Sequence, residues 1–229
     1  MLHIYQAMLY LKKQYYIFIP LICIVQLNGV AQNYSYKQAM NNQLSAFKTA
    51  KGINDIQKLA DAFSSIAITE KKEWLPYYYA SLCNVLVAFE KKESEIDVFC
   101  DKAERLVKKA DSLESYNSEI SVLKSMICAA RIAVNENLRT LKYGSQSVKY
   151  ANEAVKLNAN NPRAYLVKAQ NVFHMPEIFG GGAKNAKPIL ELALEKEKQF
   201  KTQTTFHPNW SKTEIENEIK KVNKSLLKK

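Results

Sequence analysis

The chain has 229 residues, 47% of them apolar and 24% charged, with only six Gly and six Pro. That supplies one sizeable core and excludes a disordered polyelectrolyte, a collagen-like chain and a turn-rich β-sandwich. The formal charge is +11, yet only Arg105, Arg131, Arg139 and Arg163 among 33 basic residues are Arg; scattered Lys without Arg forks reads as a solvated basic surface, so no nucleic-acid partner is expected.

The N-terminus is of a different composition. Lys12 and Lys13 precede an apolar run from Tyr15 to Val25, and Gly29 and Ala31 occupy the small positions of a cleavage site. This pattern predicts a secretory signal peptide over residues 1–31, leaving a domain of residues 32–229. The run is shorter than the roughly 20 residues a bilayer span needs, so no stable membrane span is expected after cleavage. Ile22 is too bulky to precede a lipidated Cys23, and Met8 is as good a start as Met1. Loss of Lys12 and Lys13 with no acid lowers the charge to +9. The expected location is the periplasm or cell envelope, with secretion a further option. Cys83, Cys100 and Cys128 remain, without a C-x-x-C. Their helical, apolar contexts suit small hydrophobes. If a bridge forms, Cys83–Cys128 is the expected pair.

Helical periodicity runs through the rest and predicts an all-α fold. Phe99, Ala103, Leu106 and Ala110 share one helix face, as do Ile215, Ile219, Val222 and Leu226. Start and stop signals divide the chain into nine helices at 36–50, 54–69, 75–91, 95–112, 117–136, 140–158, 162–174, 184–200 and 212–227. Asn161-Pro162 reads as a capped start with proline in the first turn. Ser211 and Glu214 have the spacing of a capping box. Gly52 and Gly180–Gly182 mark loops.

The helices pair, and the pairs repeat. Small residues recur seven apart in each second helix: Ala60 and Ala67, Ala103 and Ala110, Ser147 and Ala154, Ala186 and Ala193. Successive pairs lie 43, 44 and 39 residues apart. Hairpins that cannot bury their own apolar faces stack into an α-solenoid. About four hairpins are expected, with 212–227 as a C-terminal cap that turns Lys220, Lys221 and Lys224 to water.

The segment Ala154-Val155-Lys156-Leu157-Asn158-Ala159-Asn160-Asn161-Pro162-Arg163-Ala164-Tyr165 resembles a tetratricopeptide repeat (TPR) junction. Tyr165 and Ala169, then Ala186, Leu190 and Ala193, match that family's aromatic and small positions. The match covers about residues 140–200; earlier pairs match only in their small residues, and the period exceeds the usual 34 residues. Phe179-Gly180-Gly181-Gly182, Lys187-Pro188 and His207-Pro208-Asn209-Trp210 are similar to exported TPR-like proteins of Gram-negative bacteria. The resemblance implies a non-enzymatic scaffold that binds a protein or peptide on the face formed by the first helices. It places Arg163 and Gln170 on that face, with Tyr79 as the analogous residue of the second pair.

Other candidates carry less chemistry. Gly181, Gly182 and Lys184 precede a helix and could hold an anion, but Ala183 and Asn185 break the P-loop pattern and no strand precedes. His174 and His207 lack metal-ligand spacing, so neither a metal nor a cofactor is expected. His174 reads instead as a cation meeting the dipole of its helix end. Gly-x-Ser-x-Gly is absent, and Glu93, Glu95 and Asp97 lie in a charged turn. Within Trp74-Leu75-Pro76-Tyr77-Tyr78-Tyr79 at least one tyrosine should be core and one exposed. Trp210 is expected to seat the last helix. The alternative to a scaffold is an exported small-ligand-binding protein or enzyme using the Gly180–Gly182 loop and His174. A third reading is adhesion to an anionic envelope polymer through lysine charge.

Overall fold

The structure is a computed structural model and describes residues 34–228. The expected signal peptide lies outside the described residues. Helices occupy residues 34–49 (α1), Ile53–Thr69 (α2), Trp74–Phe89 (α3), Glu93–Leu113 (α4), Ser118–Ile132 (α5), Glu136–Arg139 (α6), Ser145–Leu157 (α7), Pro162–His174 (α8), Ala183–Gln199 (α9) and Ser211–Leu226 (α10). No strand occurs among the described residues. The chain divides into two compact units, residues 1–42 and 43–229. The described part of the first, residues 34–42, is helical; the second holds every element discussed below.

One boundary departs from expectation. Glu136 was expected to end the fifth helix, but it opens α6. Asn135 is the reason: its side chain accepts from the Leu138 N–H at 3.1 Å and caps a new helix. That helix passes through a π turn at Thr140–Gly144 directly into α7.

Within the second unit the packing is sequential. Each of α2 to α5 packs on the next helix, then α5 on α7, α7 on α8, α8 on α9 and α9 on α10. The first helices also meet one another: α3 with α5, α5 with α8, α8 with α10. So α4, α7 and α9 each lie against their own first helix and the following one. This is the stacked-hairpin arrangement the small-residue repeat calls for. All eight repeat positions are buried, from 3% exposure at Ala60 to 0% at Ala193. Ser147 fits because its hydroxyl donates to the Ser125 carbonyl at 2.9 Å.

The central helix α3 is buried on almost every side, from Tyr78 to Ala88, by α2, α4 and α5. At the other end, Leu166, Ala186, Leu190 and Ala193 form a core with Ile215 and Val222 of α10. Helix α10 therefore closes the stack as expected, with Trp210 packed against the same core and Lys220, Lys221 and Lys224 exposed. Cys83, Cys100 and Cys128 are free and buried. Cys83 does not bridge to Cys128; burial pushes the Cys83 thiol far above its usual value, the Cys100 thiol to about 12 and the Cys128 thiol to about 11.

Short connections make neighbouring helices antiparallel. Links within hairpins thus gather at one edge of the stack and links between hairpins at the other. The two edges have different chemistry.

Candidate functional site

The edge formed by links between hairpins carries a buried ion pair. Asn161 caps α8 as expected, its side chain accepting from the Arg163 N–H at 3.0 Å. The same side chain donates to Glu119 Oε1 at 2.7 Å and to the Ser118 hydroxyl at 2.9 Å. Arg163 reaches Glu119 through Nε (2.8 Å to Oε2) and Nη2 (2.7 Å to Oε1). Its Nη1 donates to Ser211 Oγ at 3.2 Å, and its guanidinium lies 4.6 Å over the Phe200 ring. Burial opposes the Arg163 cation, but the Glu119 carboxylate outweighs it and holds the guanidinium pKa above its usual value. Tyr78 donates to Glu119 Oε2 at 3.3 Å and accepts from Trp210 Nε1 at 2.9 Å. Burial, then the charge of Glu119, pushes that phenol well above its usual pKa. A cavity of about 280 Å³ borders this network, lined by Asn117, Glu119, Asn158, Arg163, Phe200 and His207 among others.

These contacts correct several expectations. Arg163 is 0% exposed and spent on Glu119, so it is not displayed on an open face. Tyr79 is 2% exposed, stacks on Phe63 at 5.0 Å and donates to the Phe206 carbonyl at 2.9 Å. Gln170 is half-buried and reaches Glu218 at 3.5 Å. Of the three tyrosines, Tyr78 and Tyr79 are core and Tyr77 is half-buried. Ser211 does not form the capping box. Its hydroxyl donates to Glu197 at 2.6 Å and accepts from Arg163 instead. His207 sits edge-on to Trp74 and bonds Thr204, and burial lowers its pKa.

The opposite edge, formed by links within hairpins, is apolar and exposed. The α6 segment and π turn present Leu138 and Leu141 at 78% and 88% exposure. The α8–α9 link presents Ile178 and Phe179 at 85% and 71%. Phe89 and Val98, at the α3–α4 link, extend the pattern. The α6 segment is anchored from beneath. Arg139 makes two 2.8 Å bonds to Asp97, and Arg131 binds Asp97, Asp101 and Glu104 at 3.0, 2.6 and 2.8 Å. Tyr143, in the π turn, has Lys142 5.0 Å from its ring centroid.

The Gly180–Gly182 loop forms a tight turn rather than the anion cradle offered as the alternative for Gly181, Gly182 and Lys184. The Gly181 N–H donates to the Pro176 carbonyl at 3.2 Å and the Gly182 N–H to Val172 at 2.9 Å. The Glu177 side chain lies against Gly182, where an added Cβ would stand 3.0 Å from its Oε1. Inward-spent donors and a neighbouring carboxylate both oppose an anion; Lys184 is exposed. The glycines serve the turn. Gly180 and Gly182 have φ of 82° and 88°, and a Cβ on Gly181 would meet the Met175 carbonyl oxygen at 1.9 Å.

Beside this loop His174 ends α8, exposed, with the Phe173 ring edge-on at 5.1 Å. Lys221 of α10 lies 4.9 Å over the Phe173 ring. Desolvation, then the charge of Lys221, lowers the His174 pKa, against weaker opposing effects of Glu218 and of Glu136 on α6. The imidazole is thus biased toward its neutral form rather than the helix-end cation expected. No group of three or more His, Cys, Asp or Glu able to hold a metal ion occurs among the described residues. Nor is any helix among them long and apolar enough to cross a membrane.

Sequence reasoning missed Glu119 and the exposed quartet of Leu138, Leu141, Ile178 and Phe179. The apolar pair Ile178-Phe179 directly before three glycines was the available signal.

Fold and surface together define a class: an all-α stack of hairpins with an apolar core, a buried ion-pair network at one edge and exposed apolar side chains at the other. No family model matches the chain, and no curated protein does. Among solved structures it is similar to the HusA haemophore from Porphyromonas gingivalis, at 32% identity and a TM-score of 0.76, over 82% of this chain and 93% of that one. The chain belongs to the HusA haemophore family.

Proposed function

We propose that this protein is an exported carrier of a haem-like tetrapyrrole, held at the apolar edge between the α6 segment and the α8–α9 link. The observation that carries the reading is the kinship with a haemophore over 93% of that chain. The surface supports it. A tetrapyrrole is a flat apolar disc with acidic side chains, and four large exposed apolar residues, with the exposed Lys142 next to Leu141, suit both parts. The alternative built on the Gly180–Gly182 region is thereby favoured over the scaffold reading, and a binding protein over an enzyme. Export through cleavage of residues 1–31 fits such a carrier.

A TPR-like peptide scaffold remains the second reading. Its support is the contact of each first helix with the next and the buried small-residue repeat. Against it, Tyr79, Arg163 and Gln170, the residues it would use, are engaged within the fold.

The test is titration of the purified protein with haemin and with metal-free protoporphyrin, followed by absorbance and by quenching of intrinsic fluorescence. Saturable binding is expected, weakened about tenfold or more in Ile178→Ser/Phe179→Ser, since losing a few kcal/mol of apolar burial costs at least that. Absence of saturable binding to either compound refutes the proposal.

A further inference from the structure

We infer that the polar cavity at the edge formed by links between hairpins is a second binding site, for a neutral mono- or disaccharide. It lies at the edge opposite the exposed apolar residues and does not depend on the tetrapyrrole reading.

Three links meet at this cavity. Tyr116 and Asn117 come from the α4–α5 link, Asn158 from the α7–α8 link, and Phe200, Gln203 and His207 from the α9–α10 link. The first two links need only residues 114–117 and 158–161 to join neighbouring helices. The α9–α10 link runs over residues 200–210, although α9 and α10 pack directly on each other. Its extra length reaches back to α3: Tyr79 donates to the Phe206 carbonyl at 2.9 Å, and His207 lies edge-on to Trp74 at 5.7 Å. Ordering more chain than a connection requires costs entropy. Here that chain forms one wall of a cavity of about 280 Å³. Ligand sites span about 300–1,000 Å³, so a volume at the small end suits a small molecule.

The floor is fixed and the rim is free. Glu119 and Arg163 hold each other at the base, and the Arg163 guanidinium covers the Phe200 ring at 4.6 Å. At the rim Glu114, Tyr116, Lys201 and Gln203 are exposed. Among the described residues none bonds their side chains. Asn117 and Asn158 spend their side-chain oxygens on the N–H groups of Glu119 and Asn160, which leaves both amide nitrogens as donors. The rim thus offers acceptors and donors together, the mixture that sugar hydroxyls, able to donate and to accept, require.

Charge argues against other ligands. The carboxylates lining the cavity, Glu114 and Glu119, are balanced by the cations Arg163 and Lys201. Burial biases His207 toward its neutral form. The balance favours neither an anion nor a cation.

Tyr116 supplies the aromatic surface. Among the described residues it is the one non-glycine with positive φ, at 59°. That region suits Gly or Asn and strains a bulky residue. Packing does not hold it there, because Tyr116 is 86% exposed. Backbone strain of this kind clusters at binding sites, and a tyrosine ring can cover the C–H face of a sugar while its hydroxyl stays wet.

The experiment titrates purified protein with glucose, N-acetylglucosamine, maltose and lactose, and with glucuronate, glucosamine and glycylglycine, by calorimetry and saturation-transfer NMR. Saturable binding of at least one neutral sugar is expected, with the charged analogues and the dipeptide weaker. Tyr116→Gly removes the ring and relieves the strain. It should weaken the sugar about tenfold while leaving the melting temperature unchanged or higher, a combination that a purely structural tyrosine would not give. Gln203→Ala should weaken it about twofold to tenfold. Ile178→Ser/Phe179→Ser, at the opposite edge, should bind the sugar as native protein does, and Tyr116→Gly should treat haemin as native protein does. The inference is overturned if none of the neutral sugars binds saturably, if a charged analogue or the dipeptide binds better than all of them, or if Tyr116→Gly keeps native sugar affinity. Sugar binding without binding of haemin or protoporphyrin would sink the tetrapyrrole reading and leave this one standing.

Discussion

The buried pair of Glu119 and Arg163 offers the sharpest test of what holds the stack together. Its members join α5 to α8, and through Ser211 and Trp210 the network reaches α10, while Tyr78 ties it to α3. Glu119→Gln keeps the shape and removes the charge. The Arg163 cation, 0% exposed, would lose its counter-ion and keep only a neutral amide oxygen, Ser211 and the Phe200 ring as direct partners. Breaking a buried pair in this way costs about 3–5 kcal/mol. At about 2–4 °C per kcal/mol for a domain of this size, the melting temperature should fall by about 6–20 °C. Arg163→Met should cost nearer the lower figure of about 3 kcal/mol, because Glu119 keeps the Asn161 and Tyr78 bonds and borders the cavity. The double variant should be destabilised less than additively, with a coupling of about 1–3 kcal/mol. Thermal and urea melts of the four proteins supply the cycle. A Glu119→Gln shift below about 2 °C, or strict additivity, would refute the claim that this pair locks the hairpins in register.

Two further outcomes are expected. Gly181→Ala drives a Cβ into the Met175 carbonyl and should destabilise by about 2–3 kcal/mol or rearrange the loop. Gly52→Ala meets nothing within 4 Å and should stay within about 0.5 kcal/mol of native; equal melts for the two variants would contradict the loop geometry. Acid should loosen the anchor of α6. Hydrogen bonding from Arg139 holds the Asp97 pKa below its usual value, so its contribution is present above the ordinary carboxylate range and is lost as pH falls through the lowered pKa. Native protein should lose more melting temperature between pH 6 and pH 3 than Asp97→Asn does, and an equal loss would rule this anchor out.

Much of the fold is written in local pattern. Amphipathic spacing and the paired small residues at Ala103/Ala110 and Ala186/Ala193 marked helices that must pack closely, because helix periodicity and side-chain volume are properties of neighbouring residues in sequence. Asn161-Pro162 announced a helix start for the same reason. Partnership was not legible. Nothing near Arg163 in sequence names Glu119, 44 residues earlier, and a charged residue on a groove position reads as exposed until its counter-ion is seen. Ser211 and Tyr79 were misread likewise, since a hydroxyl takes the nearest partner in space. The Gly180–Gly182 loop shows the limit most clearly. Composition allowed an anion cradle or a tight turn, and only the folded chain aimed its N–H groups at Pro176 and Val172. Which apolar residues stay uncovered is also a tertiary property. Sequence alone determined that hairpins would stack; the stacking decided that Leu138, Leu141, Ile178 and Phe179 would be left facing outward along one edge.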